Sequence, residues 1–96
     1  MSNDVQHLAG QHRYVFRRDG DEVGLTDYWL RGNEIHLTHT EINPKLRGKG
    51  LGAEMVHEVL EKIRVETGYR VVADCPFVAD WLDKHPEYME LAERGI

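Results

Sequence analysis

Apolar and polar residues alternate along the first half of the chain, and a helical period follows. Arg13 to Arg18 (R-Y-V-F-R-R) is rich in β-formers and stops at Asp19-Gly20, a dipeptide that favours a tight hairpin turn. Glu22 to Leu30 reads as a second strand with Val23, Leu25 and Trp29 on one face, and Arg31-Gly32-Asn33 as the next turn. Glu34 to Ile42 alternates cleanly, and a period of two puts Ile35, Leu37, His39 and Glu41 on one face. These three segments predict an antiparallel meander. Beyond them, Leu51, Met55, Val59, Leu60 and Ile63 recur at helical spacing, with Glu54, Glu58, Glu61 and Arg64 on the opposite side. Thr67-Gly68 predicts the end of this helix, with Gly68 able to turn left-handed there. Tyr69 to Cys75 reads as a short strand. Because it follows a helix, it is expected to pair parallel to the strand before that helix. Phe77 to Lys84 is a short helix, His85-Pro86 breaks it, and Pro86 suits the first turn of another carrying Tyr88, Met89 and Leu91.

The expected order is β-β-β-α-β-α on a mixed sheet, an α/β (α+β) chain forming one domain over residues 1–96. Residues 1–12 are polar and without period, and are expected to be a loose end. Trp29, Phe77 and Trp81 are expected in the core. A chain of 96 residues supports one core and little more. Its 41% hydrophobic and 30% charged residues exclude a disordered composition. No apolar run approaches the roughly 20 residues that cross a bilayer. Met1-Ser2-Asn3-Asp4 lacks the basic-then-apolar pattern of a signal peptide. A single cysteine, Cys75, cannot form an internal disulfide. The expectation is a reduced, cytoplasmic protein with no membrane partner.

A net charge of −5 argues against nucleic acid as a partner. The cations are nevertheless uneven, since Lys45, Arg47 and Lys49 fall within five residues. A local basic loop on an acidic chain points to a small anionic ligand. The same stretch, from Asn43 to Gly52, joins a strand to a helix and carries Gly48, Gly50 and Gly52. Glycine lets a ligand approach the backbone closely, and a helix start offers unpaired N–H groups and positive partial charge. The loop has neither the G-x-x-x-x-G-K-[ST] nor the G-x-G-x-x-G order of nucleotide-binding motifs. On its residues alone it is an anion site or a flexible turn with a helix cap.

The spacing Arg47-x-x-Gly50-x-Gly52 matches R/Q-x-x-G-x-G/A and resembles the acetyl-CoA loop of the GCN5-related N-acetyltransferases, in the same place between a strand and the long central helix. His39-Thr40-Glu41, Arg47-Gly48-Lys49-Gly50, Cys75-Pro76-Phe77-Val78 and His85-Pro86-Glu87-Tyr88 follow one another as in the minimal YjdJ-type branch of that superfamily, and so extend the resemblance over nearly the whole chain. The resemblance implies CoA or acetyl-CoA as cosubstrate, held by Arg47, Gly48, Lys49, Gly50, Leu51 and Gly52. It also implies transfer of an acetyl group to an amine that the family leaves undefined, a small molecule or a protein. The alternatives are a CoA-binding module without catalysis and an adaptor that keeps the fold.

Three residues are candidates for chemistry. His39 and Glu41, if their face is core, bring two ionisable groups inward at a strand end, as expected of a general base. The resemblance points to Glu41 for that role, and a bulge in the strand would reverse its direction. The other reading is a space-filling His39 and a Glu41 that caps loop backbone. Cys75 ends the strand after the central helix, where ligands of open α/β sheets bind. It is either next to the thioester, with a helix start to lower its pKa, or a buried structural thiol. His36 and His39, three apart on a strand, are expected on opposite faces, and no metal site is expected. His57 is read as a boundary residue, His85-Pro86 as a helix break, and Tyr88 as too far along for the general-acid tyrosine of larger relatives.

Overall fold

The structure, a computed structural model, describes residues 3–95. Five strands form one sheet: β1 (Asn3–Leu8), β2 (Arg13–Arg18), β3 (Asp21–Arg31), β4 (Glu34–Ile42) and β5 (Arg70–Ala73). Their order across the sheet is their order in the chain. The first four are antiparallel, and β5 runs parallel to β4 after the crossover helix α1 (Leu51–Glu66). Helix α2 (Pro76–Lys84) follows β5, and a 3₁₀ helix spans Pro86–Glu93.

The meander, central helix, parallel strand and short helices are those the periodicity predicts. The stretch 1–12 differs. From Asn3 it supplies β1, an edge strand whose Val5 and His7 pair with Phe16 and Tyr14, and then a 3₁₀ turn over Ala9–Gln11. An edge strand faces water on one side and needs few apolar residues, so its composition resembled a loose end. Residues 1 and 2 of that stretch lie outside the described residues.

Helices α1 and α2 and the 3₁₀ helix at Pro86–Glu93 pack on one face of the sheet. Tyr14, Phe16, Val23, Tyr28, Ile35 and Leu37 meet Met55, Val56, Val59, Leu60 and Ile63 of α1 there, joined by Val78, Trp81 and Leu82 of α2. The Asp19-Gly20 hairpin has the positive φ values, 51° and 89°, that its sequence favours. The end of α1 is not closed by a left-handed Gly68. Thr67 closes it, with both its N–H and its hydroxyl donating to the Ile63 carbonyl. The Arg94 guanidinium covers neighbouring carbonyls of Arg64, Thr67 and Tyr69.

Two bulges decide which side chains reach the core. At the first, Phe16 faces Gly24 while Arg17 faces Glu22, so Val23 is the extra residue and turns inward. Leu25, Asp27 and Trp29 then share the outer face, which leaves Trp29 41% exposed and stacked on His36 instead of in the core. At the second, Asp27 faces His39 while Tyr28 faces Leu37, so Thr38 is the extra residue of β4. Its hydroxyl donates to the Asp27 carbonyl. Beyond it the faces exchange, and His39 and Glu41 point away from the core.

Candidate functional site

Strand β5 stops at Ala73, opposite Leu37, while β4 continues to Ile42. The β5-side edge of β4 therefore has no partner strand from Thr38 onward, and there only the Thr40 amide meets the Cys75 thiol. The Cys75 N–H donates to the Leu37 carbonyl at the point where the two strands part. A cleft of about 510 Å³ fills this gap. Its walls are the end of β4, the loop after it, the first turn of α1, and Phe77.

The loop is built to present backbone. Asn43 accepts a hydrogen bond from the Lys45 N–H and starts a 3₁₀ turn over Pro44–Leu46. Gly48 and Gly50 have φ of +83° and +75°, a region costly for other residues. Gly50 is the N-cap of α1, and no side chain caps the helix there. The first amides of α1 thus keep their donors free, and Glu54 in the first turn bonds elsewhere, to Arg18. Among the described residues Arg47 and Lys49 have no ion-pair partner. Uncapped amides, bare glycines and unpaired cations are a donor set that fits a phosphate or pyrophosphate. Arg47, Gly48, Gly50, Leu51 and Gly52 line the cleft, and Lys49 stands outside its wall.

The inner part of the cleft is apolar, with Ile42, Leu46, Met55 and Phe77. Phe77 is 46% exposed and is not a core residue. Its ring lies against Gly52, where an added Cβ would stand 2.8 Å from the ring tip. A side chain at Gly52, within this ordinary helical turn, would push the Phe77 ring aside.

His39 and Glu41 line the mouth of the cleft on the outward side. Their side chains are 3.5 Å apart, His39 Nε2 to Glu41 Oε1, and both are more than half exposed. The expected inward placement is overturned by the Thr38 bulge, which also puts His36 and His39 on the same face. They still do not form a pair. His36 is held by Glu34 at 3.0 Å and Asp74 at 2.9 Å.

Cys75 is buried, at the N-cap of α2, and is not part of the cleft wall. Burial pushes its thiol pKa up, but the Thr40 hydroxyl, 3.6 Å from Sγ, and the backbone amides of Val78, Phe77 and Thr40 outweigh it. The thiol ends below its ordinary value. Tyr88 is buried against Trp81, His57 and Arg64, in the core under α1. Thr40 and Phe77 were not read as site residues from the sequence, which placed Phe77 in the core. Thr40 became inward-facing only through the bulge, and Phe77 followed a proline that begins the helix one residue earlier than expected.

Among the described residues no helix is long and apolar enough to cross a membrane. A comparison with curated proteins found no match. A family model described as GCN5-related N-acetyltransferase matches residues 13–91. That span runs from β2 through the glycine loop and α2 into the last 3₁₀ helix, so the chain belongs to the GCN5-related N-acetyltransferase family.

Proposed function

We propose that the chain binds acetyl-CoA in the cleft beside β4 and passes the acetyl group directly to an amine. The observation that carries this reading is the meeting, in one cleft, of an uncapped helix start, two left-handed glycines and an open strand edge. The amides from Gly48 to Gly52 suit the pyrophosphate, with Arg47 and Lys49 adding positive charge. Ile42, Leu46, Met55 and Phe77 suit the pantetheine arm, and the free edge of β4 suits its amides. The setting that fits a single reduced thiol is the cytoplasm.

Bound acetyl-CoA supplies a thioester carbonyl. Glu41 takes the ammonium proton of the acceptor, leaving a neutral amine. The C–N bond forms as the C–S bond breaks, and the second amine proton leaves with the CoA thiol. His39 steadies the Glu41 carboxylate. Cys75 anchors the end of β4 to the start of α2 through Thr40. A thiol that is buried, off the cleft wall and already bonded is poorly placed to carry the acetyl group itself.

A melting experiment tests the binding. CoA at 100 times its Kd adds about 2.7 kcal/mol of stability, and Gly50→Glu abolishes the shift by placing bulk and negative charge at the phosphate site. A wild-type melting temperature unmoved by saturating CoA and acetyl-CoA refutes the reading. Cys75→Ala keeps most activity under direct transfer. Stoichiometric acetyl-Cys75 that disappears on adding amine would reverse that assignment.

A further inference from the structure

The helices cover one face of the sheet, and the other face holds a second cleft of about 440 Å³. Strand pairing shows how it is made. Gln6, Val15, Leu25 and Glu41 stand in one row across β1 to β4, and Leu8, Arg13, Asp27 and His39 in the next. Val15, only 3% exposed, is its floor, with Leu8 and Leu25 beside it. Around this apolar centre stand Glu22 and Glu41. Arg13 is bound to Asp27 through two hydrogen bonds, and its charge also acts more weakly on Glu41 and Glu22. The remaining cation on the wall is Arg47.

The two clefts share Glu41, Ile42 and Arg47. They are thus two sides of one partition, with Glu41 at the edge. Occupation of the first cleft by a phosphate ligand engages Arg47 and leaves the second with an acidic surplus. Glu22 has no ion-pair partner among the described residues. It lies one diagonal cross-strand step from Glu41, past Leu25, with Val15 on the neighbouring strand.

Resting on the reading above, we propose that this outer cleft is the acceptor site and takes a small aliphatic diamine or polyamine. One ammonium sits at Glu41, where the acetyl group arrives. The methylene chain lies along Leu25, beside the Val15 floor, and the second ammonium sits at Glu22. Glu22 is a specificity residue that counts the acceptor's second charge, and it takes no part in the proton transfer.

The test is a titration by calorimetry and NMR of the full chain with putrescine, spermidine and butylamine, with and without CoA. Putrescine and spermidine are expected to bind, more tightly with CoA present, and to shift the amides around Val15 and Leu25. Glu22→Gln is expected to weaken the diamine at least 10-fold and leave butylamine and CoA binding unchanged. Where turnover is measured, the same variant raises KM for the diamine with kcat little altered. Absence of diamine binding in both states overturns the proposal, as does equal loss of butylamine and diamine in Glu22→Gln. Acetylation confined to lysine peptides also overturns it. If CoA binds and the diamine does not, the acceptor site is wrong and the donor site stands. If CoA does not bind, the donor reading fails, and the CoA-free titration still decides the outer cleft.

Discussion

Strand β4 divides at Thr38 into two stretches of similar composition and different use. Before it, Glu34 to Leu37 is paired on both sides, by β3 and β5. Ile35 and Leu37 are buried, and His36 has both ring nitrogens on carboxylates and its face on Trp29. After it, His39 to Ile42 has β3 on one side and a cleft on the other, and the ion-pair partner of His39 among the described residues is Glu41 at 3.5 Å. The first histidine is satisfied and serves stability. The second is left with capacity to spare. A histidine's usefulness to a site is thus set by what its neighbours leave unsatisfied, and a one-residue insertion separates the two conditions.

The largest expected effect comes from removing that residue. Deleting Thr38 restores strict alternation and turns Glu41 into the core while expelling Ile42. Burying an unpaired carboxylate costs several kcal/mol, a large part of the 5–15 kcal/mol that typically holds a domain together. Urea unfolding of the deletion variant is expected to show a large loss. A variant of near wild-type stability with an intact CoA shift would mean the bulge does not set the faces.

Glu41→Gln is next. It is expected to lower turnover roughly 10²-fold while changing unfolding free energy by less than about 0.5 kcal/mol, as for an exposed site. Equal activity in steady-state assays would move the base elsewhere. Together these variants ask whether the second half of β4 is chemical and not structural.

Gly52→Ala sharpens the contrast from the other wall. Alanine in a helix gains about 1 kcal/mol of propensity, and the ring tip of half-exposed Phe77 can swing aside. Stability is expected to hold, while CoA affinity by calorimetry drops about 10-fold, or 1.4 kcal/mol. Unchanged affinity would remove Phe77 from the cleft's working wall.

The smallest effect concerns His36. Burial lowers its pKa, but hydrogen bonds to Asp74 and Glu34 more than reverse this and leave it above its ordinary value. Its stabilisation is therefore complete below the unfolded value, about 6.5, and is lost as pH rises through the higher folded value. The melting temperature is expected to fall over that window in the wild type, with the His36→Gln variant flatter. Parallel curves for the two would exclude the carboxylate clamp as a pH-dependent contact.

The sequence carried unequal amounts of this. Helix α1 was readable because six buried positions repeat at its period, and the glycine loop because its chemistry is local. The bulges at Val23 and Thr38 left no mark. Each is a matter of register between two strands, and a single chain's alternation cannot show which partner residue lacks a mate. The placements of His39, Glu41, Trp29 and Thr40 all followed from them. Strand β1 was hidden because its partner supplies most of the apolar surface.

The strictly consecutive order of the five strands also bears on how the chain is made. Each of the first four strands can find its neighbour as soon as that neighbour is synthesised, with short loops to close. The glycine loop and α1 come later, and Cys75 and Phe77 only in the last quarter. A nascent chain can therefore assemble its meander long before the cleft has its second wall. On the proposed reading, ligand capture is reserved for finished molecules, and CoA in the surroundings would select the completed fold without trapping the partial one.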